Sequence, residues 1–200
     1  MPGGELRRQP ILEAMIRIAG SKGYRATSVA DVLADAQASR ATFYKYFDDK
    51  HDCFLAAYEL AVERVLAAAR VGCDPKQPWQ ARARGGLAAV VDLFARDPTL
   101  ARMTVVEATA AGAAVRRRHW AAIDRLARLL EDGRDRAQQP RLPPNTGLMA
   151  VSGVVGLIFD ELQAGRNAEL PHLQPELEFT LLVPFLGPRA AAREMGRNAA

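Results

Sequence analysis

The chain has 200 residues, 49% of them hydrophobic, which is enough for one large or two small domains with a buried core and excludes a disordered tail or linker. Lys and Arg number 27 against 23 Asp and Glu, a net charge of +4 that permits an anionic partner without requiring one. The two cysteines, Cys53 and Cys73, show no CxxC or Cys/His metal spacing, so no zinc site and no disulfide framework is expected, and reduced cytosolic thiols are the default.

No apolar run follows the basic residues of the opening MPGGELRRQP, so no signal peptide is expected. Ile11, Leu12, Met15, Ile18 and Ala19 share one face at helical spacing and predict a first helix over Leu6–Gly20. Pro10 is placed in its first turn, and Gly23 is a stop that takes the left-handed conformation cheaply. Tyr24 is expected to pack back on this helix. Thr27 or Ser28 caps the second helix, with Asp31 standing where a capping-box carboxylate would; Val29, Val32 and Leu33 form its inner face. After the turn Ala36-Gln37-Ala38, Ser39 is the N-cap of a third helix reaching about Phe47. Two short helices about a three-residue turn make a helix-turn-helix.

Asp48 and Asp49 open a long helix carried by Phe54, Tyr58, Ala61, Val62, Val65 and Ala69, ending at Gly72-Cys73-Asp74-Pro75. Further helical segments follow through Trp79, Leu87, Val90, Val91 and Phe94; through Leu100, Met103 and Val106; and through Val115, Trp120, Ile123, Leu126, Leu129 and Leu130. Gln138–Pro144, QQPRLPP, reads as a breaker-rich loop. Asn145–Gly165 is apolar nearly all round, as is the stretch from Gln174 to Leu186, and such helices need cover on more than one side. The longest apolar stretch, Gly147–Phe159, falls short of the ~20 residues needed to span a bilayer, so a cytoplasmic protein without a membrane segment is expected. The tail beyond Gly187-Pro188 is expected to fray. No strand pattern appears, and the fold class expected is all-α with about nine helices. The boundary falls near Phe47–Lys50, giving a helix-turn-helix domain over 1–50 and a larger helical domain over 51–200.

The stretch ILEAMIRIAGSKGYRATSVADVLADAQASRATFYKYFDDKHDCFLAAY, Ile11 to Tyr58, resembles the N-terminal DNA-binding domain of the TetR family of bacterial transcriptional regulators. The likeness rests on Gly23-Tyr24, Thr27-Ser28-Val29, the run Ser39 to Phe47, and Lys50 after two acidic residues. It departs from the family pattern at Gln37, where glycine is usual, and at Leu33, where alanine is usual. The resemblance implies a three-helix reading head followed by a ligand-binding and dimerisation domain.

A recognition helix sets side chains against base edges from its first turns while its flanks hold phosphates. Arg40, Thr42, Tyr44 and Lys45 are the candidates for base contact, with Arg40 suited to guanine O6 and N7. By resemblance, Thr27, Ser28, Tyr46 and Lys50 fall at phosphate-contacting positions. Phe43 and Phe47, four apart, read as core. Arg7 and Arg8 are either a basic arm that follows the DNA or a solvated end.

Elsewhere, His51, His119 and His172 lack a partner at nucleophile, base or metal spacing, so no catalytic residue, metal or cofactor is assigned. Arg116-Arg117-Arg118 reads as a solvated helix face. The resemblance implies a ligand pocket, for which Phe94, Met103, Glu107, Trp120, Ile123 and Phe159 are candidates, with Tyr58 and Trp79 beside them. Glu107 is either a surface carboxylate or a buried one needing a donor such as Arg102 or a cationic ligand. Asn145–Gly165 and Gln174–Leu186 are expected to pair with their symmetry mates in a homodimer. The function expected is a repressor that binds a pseudo-palindromic operator in double-stranded DNA as a dimer and is released by a small molecule. The alternatives are a helical binding protein that does not use the reading head, or an enzyme whose site is assembled only in the fold.

Overall fold

A computed structural model of the chain describes residues 2–130 and 142–195. Every regular element among them is helical. In chain order these are α1 (Pro2–Lys22), α2 (Val29–Ala36), α3 (Arg40–Tyr46), α4 (Lys50–Gly72), α5 (Trp79–Arg96), α6 (Pro98–Val105), α7 (Glu107–Ala110) and α8 (Ala113–Arg128). The chain continues with α9 (Thr146–Gln163), a 3-10 segment over Asn167–Leu173, α10 (Gln174–Leu186) and α11 (Pro188–Glu194). The loop expected over Gln138–Pro144 lies, as far as residue 141, outside the described residues, as does Arg197 of the tail.

The described residues form two compact units. The first takes the chain up to Arg64 together with Asp97–His119; the second takes Val65–Arg96 and the chain from Trp120 onward. Helices α4 and α8 contribute to both.

In the first unit α1 buries Ile11, Leu12, Ala14, Met15, Ile16 and Ala19. Its stop is at Gly23, with φ +89° and its N–H donated to Ala19 O at 3.0 Å, as a left-handed glycine after a helix does. Helix α6 crosses α1 at Gly20, where a Cβ would stand 2.1 Å from Thr99 O, so only glycine permits that approach of two backbones. Asp97 caps α6 by accepting from Leu100 N–H at 3.0 Å, with Pro98 in the first turn, where its missing N–H costs nothing. The helix is interrupted at Val106, and Glu107 begins the four-residue α7.

In the second unit α4 ends against α5 at a second glycine crossing, where a Cβ on Gly72 would stand 2.1 Å from Gly85 O. Trp79, first residue of α5, packs on Phe185 of α10 with ring centroids 5.0 Å apart. Helix α9 buries Ala150, Val151, Val154, Ile158 and Leu162 but leaves Met149 and Leu157 exposed. Its 18 residues have a mean hydropathy of 1.2, which by length and composition alone would suit a membrane span. In this unit it packs instead along α10, where a Cβ on Gly153 would lie 3.0 Å from Thr180 Cγ2.

Two local expectations are corrected, and the packing of Tyr24 gains a partner. Because α1 begins at Pro2, Pro10 stands inside the helix rather than in its first turn. The Tyr24 ring packs on α4, with its centroid 4.5 Å from that of Phe54. The tail does not fray before Glu194: Ala191 is fully buried, and Arg84 Nη1 donates to Glu194 O at 3.1 Å.

Candidate nucleic-acid interface

The reading head is held by caps and by aromatic packing. Ser28 caps α2, its Oγ accepting from Asp31 N–H at 3.2 Å while the Asp31 carboxylate accepts from Ser28 N–H at 2.7 Å: a reciprocal capping box. Lys22 reaches the same carboxylate at 2.6 Å, and Lys22 and Ser28 together hold Asp31 well below the usual carboxylate range. The turn between α2 and α3 closes at Gln37, which adopts φ +50° and ψ +40°, the left-handed conformation, while Ala38 N–H bonds to Leu33 O at 3.0 Å. Ser39 then caps α3, accepting from Thr42 N–H at 3.1 Å. Phe43 and Phe47 are buried with centroids 5.4 Å apart, which fixes the roll of α3 about its axis. Arg8 lies over Phe47, 5.3 Å from its centroid, so this cation stacks on the domain itself.

With the inner row fixed, the outer row is determined. Arg40, Tyr44 and Lys45 are exposed, and Tyr44 keeps 54% of its surface although its ring meets Phe43 edge-on. Arg40 and Tyr44, four apart, share a face. Thr42 is partly covered, its Oγ1 2.9 Å from Ser39 Oγ. Lys45 Nζ stands 5.6 Å from the centroid of Tyr46. A cation, an aromatic hydroxyl and a second cation are thus presented on one side of a capped helix.

On the flank, Thr27 is only 2% exposed and its hydroxyl donates to Gly23 O at 2.8 Å, closing the α1–α2 turn. The Lys50 ammonium donates to Tyr24 O at 3.1 Å and Thr27 O at 2.8 Å, two of its three N–H groups turned inward on the same turn. Ser28 is exposed and Tyr46 half-buried. Arg25, which the sequence reading passed over, is exposed in the turn just before the N-terminus of α2. The signal was available: a cation shortly before a capped helix start sits where backbone N–H groups already favour an anion.

The pocket candidates do not come together in one unit. Met103 and Glu107 belong to the first, and Phe94, Trp120, Ile123 and Phe159 to the second. Phe94, Met103 and Ile123 are buried and Phe159 half-buried, whereas Trp120 keeps 56% of its surface and faces solvent. Glu107 is buried, and its Oε2 accepts from Tyr24 N–H at 2.8 Å; neither Arg102 nor a cationic ligand is needed to explain its burial. Tyr58, buried in the first unit, has its hydroxyl 3.0 Å from His119 Nδ1 and 3.3 Å from Thr104 O. Trp79 is used in the contact with Phe185.

A capped two-helix turn with a basic and aromatic outer row is the construction of a DNA-reading domain, and residues 11–57 match the family of bacterial regulatory proteins of the tetR family. The match is to the N-terminal domain of that family and covers the helix-turn-helix and the start of α4. Solved structures similar over nearly the whole chain include the fatty acid degradation regulator FadR from Bacillus halodurans, at 17% identity and a TM-score of 0.77, covering 92% of this chain and 96% of that one. FadR from Bacillus subtilis, solved with stearoyl-CoA, is similar at 16% identity and a TM-score of 0.75, covering 90% and 98%. TylP from Streptomyces fradiae matches at 18% identity and a TM-score of 0.72, covering 96% and 92%. At these identities the likeness is one of fold. No curated protein sequence matches the chain.

Proposed function

We propose that the protein is a repressor that binds a pseudo-palindromic operator as a homodimer and leaves it when a small molecule binds. The observation that carries this reading is the division of α3 into a buried row, Phe43 with Phe47 behind it, and an exposed row of Arg40, Tyr44 and Lys45. In it, Arg40, Thr42, Tyr44 and Lys45 face base edges, and Ser28, Tyr46 and Arg25 hold phosphates. Two recognition helices must then stand about one DNA turn apart, ~34–36 Å, to enter successive major grooves. The dimer forms through α9 and α10, whose strip of Met149, Gly153, Gly156 and Leu157 is exposed. A ligand releases DNA only by binding better to a dimer with another separation. The stearoyl-CoA held by a chain of the same fold makes long-chain acyl-CoA the first ligand to titrate.

The test is selection of bound duplexes from a random pool, followed by fluorescence anisotropy. Two half-sites about one turn apart are expected; no enrichment, with the protein folded, would leave a helical binding protein as the better reading. Arg40→Ala should lose about 1–3 kcal/mol of discrimination between the selected site and random DNA. Equal loss on both DNAs would remove Arg40 from the base-reading row.

A further inference from the structure

The turn between α1 and α2 is held from two sides by residues outside the helix-turn-helix. From α7, Glu107 places a buried carboxylate on Tyr24 N–H at 2.8 Å, with Gly23 against it, where even a Cβ would lie 3.6 Å from either oxygen. From α4, Lys50 donates to Tyr24 O and Thr27 O, and its ammonium stands 4.4 Å from the Tyr24 ring centroid. The Tyr24 ring packs on Phe54, and its hydroxyl lies 3.3 Å from His51 Nδ1. One residue therefore has its N–H, its carbonyl, its ring and its hydroxyl each engaged by α7 or α4. The turn it belongs to leads directly into the capped start of α2.

We propose that Glu107 is a positioning residue for DNA binding, acting through Tyr24 to set the pose of α2 and α3, with Lys50 gripping the same turn from α4 rather than serving a phosphate. This rests on the DNA-binding reading above and adds to it the point at which α6 and α7 act on the reading head. The carboxylate stands directly after the interruption at Val106, so any shift of backbone there moves the acceptor away from Tyr24 N–H. From α6, Arg102 Nε donates to Gly20 O at 3.2 Å and Thr99 closely approaches Gly20, both within α1. Glu107 reaches past the end of α1 to the turn itself. A hydrogen bond from a backbone N–H to a buried carboxylate is stronger than one between neutral groups, so its loss is felt at the turn.

The experiment compares Glu107→Ala, which deletes the acceptor, Glu107→Asp, which retracts it by one methylene, and Glu107→Gln, which keeps a carbonyl oxygen there. Affinity for the selected operator is measured by anisotropy, hydrogen exchange of the Tyr24 amide by NMR, and mass and helix content as controls. The alanine variant should bind operator ~10-fold more weakly and exchange the Tyr24 amide faster by a similar factor, with dimer mass and helicity unchanged. The glutamine variant should stay within about twofold of wild type on both readouts. A merely structural role would not give rescue by glutamine together with an exchange change confined to the turn. If the alanine variant fails to fold, the aspartate variant carries the comparison. Operator affinity equal to wild type with an unprotected Tyr24 amide would overturn the role; wild-type protein that selects no DNA would overturn the proposed function and this role with it.

Discussion

At Gln37 the backbone stands at φ +50°, and among the described residues no other non-glycine has a positive φ. A side chain in that conformation costs about 1–2 kcal/mol through the clash of Cβ with the following carbonyl. Glycine there removes the clash but adds freedom to the unfolded chain, worth about 0.4–1 kcal/mol in the other direction. Gln37→Gly is therefore expected to raise stability by about 0.5–1 kcal/mol, read as a higher denaturant midpoint at unchanged slope. A lower midpoint would mean that the exposed glutamine side chain makes a compensating contact. The residue scale is also where sequence reasoning was weakest. Gln37 was legible through the resemblance, since it stands where the family pattern has the residue that takes a positive φ most cheaply. Glu107 was not, because its partner is a main-chain N–H supplied from α1's end of the chain, and nothing in the residue types near Glu107 points there. For Lys50 and Thr27 the residue type leaves the partner open: an ammonium and a hydroxyl suit a phosphate and a carbonyl equally well, and in the fold both bond to carbonyls around the α1–α2 turn.

At the scale of elements, the starts of helices were legible because caps are local. Ser28 with Asp31, and Ser39, each bond a backbone N–H within three residues. The break at Val106 was not, since it carries neither glycine nor proline. Helix α11 was missed because its alanines look featureless until Ala191 is seen buried. The assignment of α6, α7 and the first part of α8 to the same unit as the reading head also rests on contacts between distant segments, which periodicity does not report. Within that unit α4 meets α8 through Tyr58 and His119, and burial holds the His119 imidazole below its ordinary value of 6.5. A histidine whose folded value is depressed adds nothing to stability above the unfolded value. As pH falls below about 6.5 the unfolded chain takes up the proton first, so stability declines until the folded value is passed. The unfolding free energy of wild type should therefore fall more steeply from pH 7 to pH 5 than that of His119→Gln. Parallel slopes would mean that His119 is not buried enough in solution to resist protonation.

At the scale of the whole molecule the open question is what covers α9. Met149 is 67% exposed and Leu157 38%, and a Cβ added at Gly156 would meet nothing within 4 Å. Met149, Gly153, Gly156 and Leu157 lie at offsets of four, seven and eight, one face of a helix. Small residues in such a strip let two backbones approach. In the proposed dimer, Leu157→Arg sets a charge in the middle of the interface and should leave a monomer at micromolar concentration by light scattering, with helix content preserved. DNA affinity should fall with it, since a lone reading head keeps only one half-site. A variant that remains dimeric would move the interface to another face. The all-helical architecture and the reading head could be read from the sequence, because both are written in spacing and caps. The exposed strip of α9 was legible only as a surplus of apolar residues, since a single chain's sequence does not name a neighbour.

The sulfur chemistry of the chain has a practical consequence. Cys53 is fully buried and its thiol is pushed up to about 12 by that burial, while Cys73 is half-buried, donates to Arg82 O at 3.4 Å and is likewise raised. Alkylating and spin-labelling reagents attack the thiolate, so buried Cys53 is shielded from them near neutral pH, and Cys73→Ser removes the half-buried second thiol. In that background a cysteine placed at exposed Asp48, beside the end of α3, gives the chain one reactive handle. In the proposed dimer the distance between two such labels is a ruler for the reading heads, to be taken with and without selected DNA and with and without acyl-CoA.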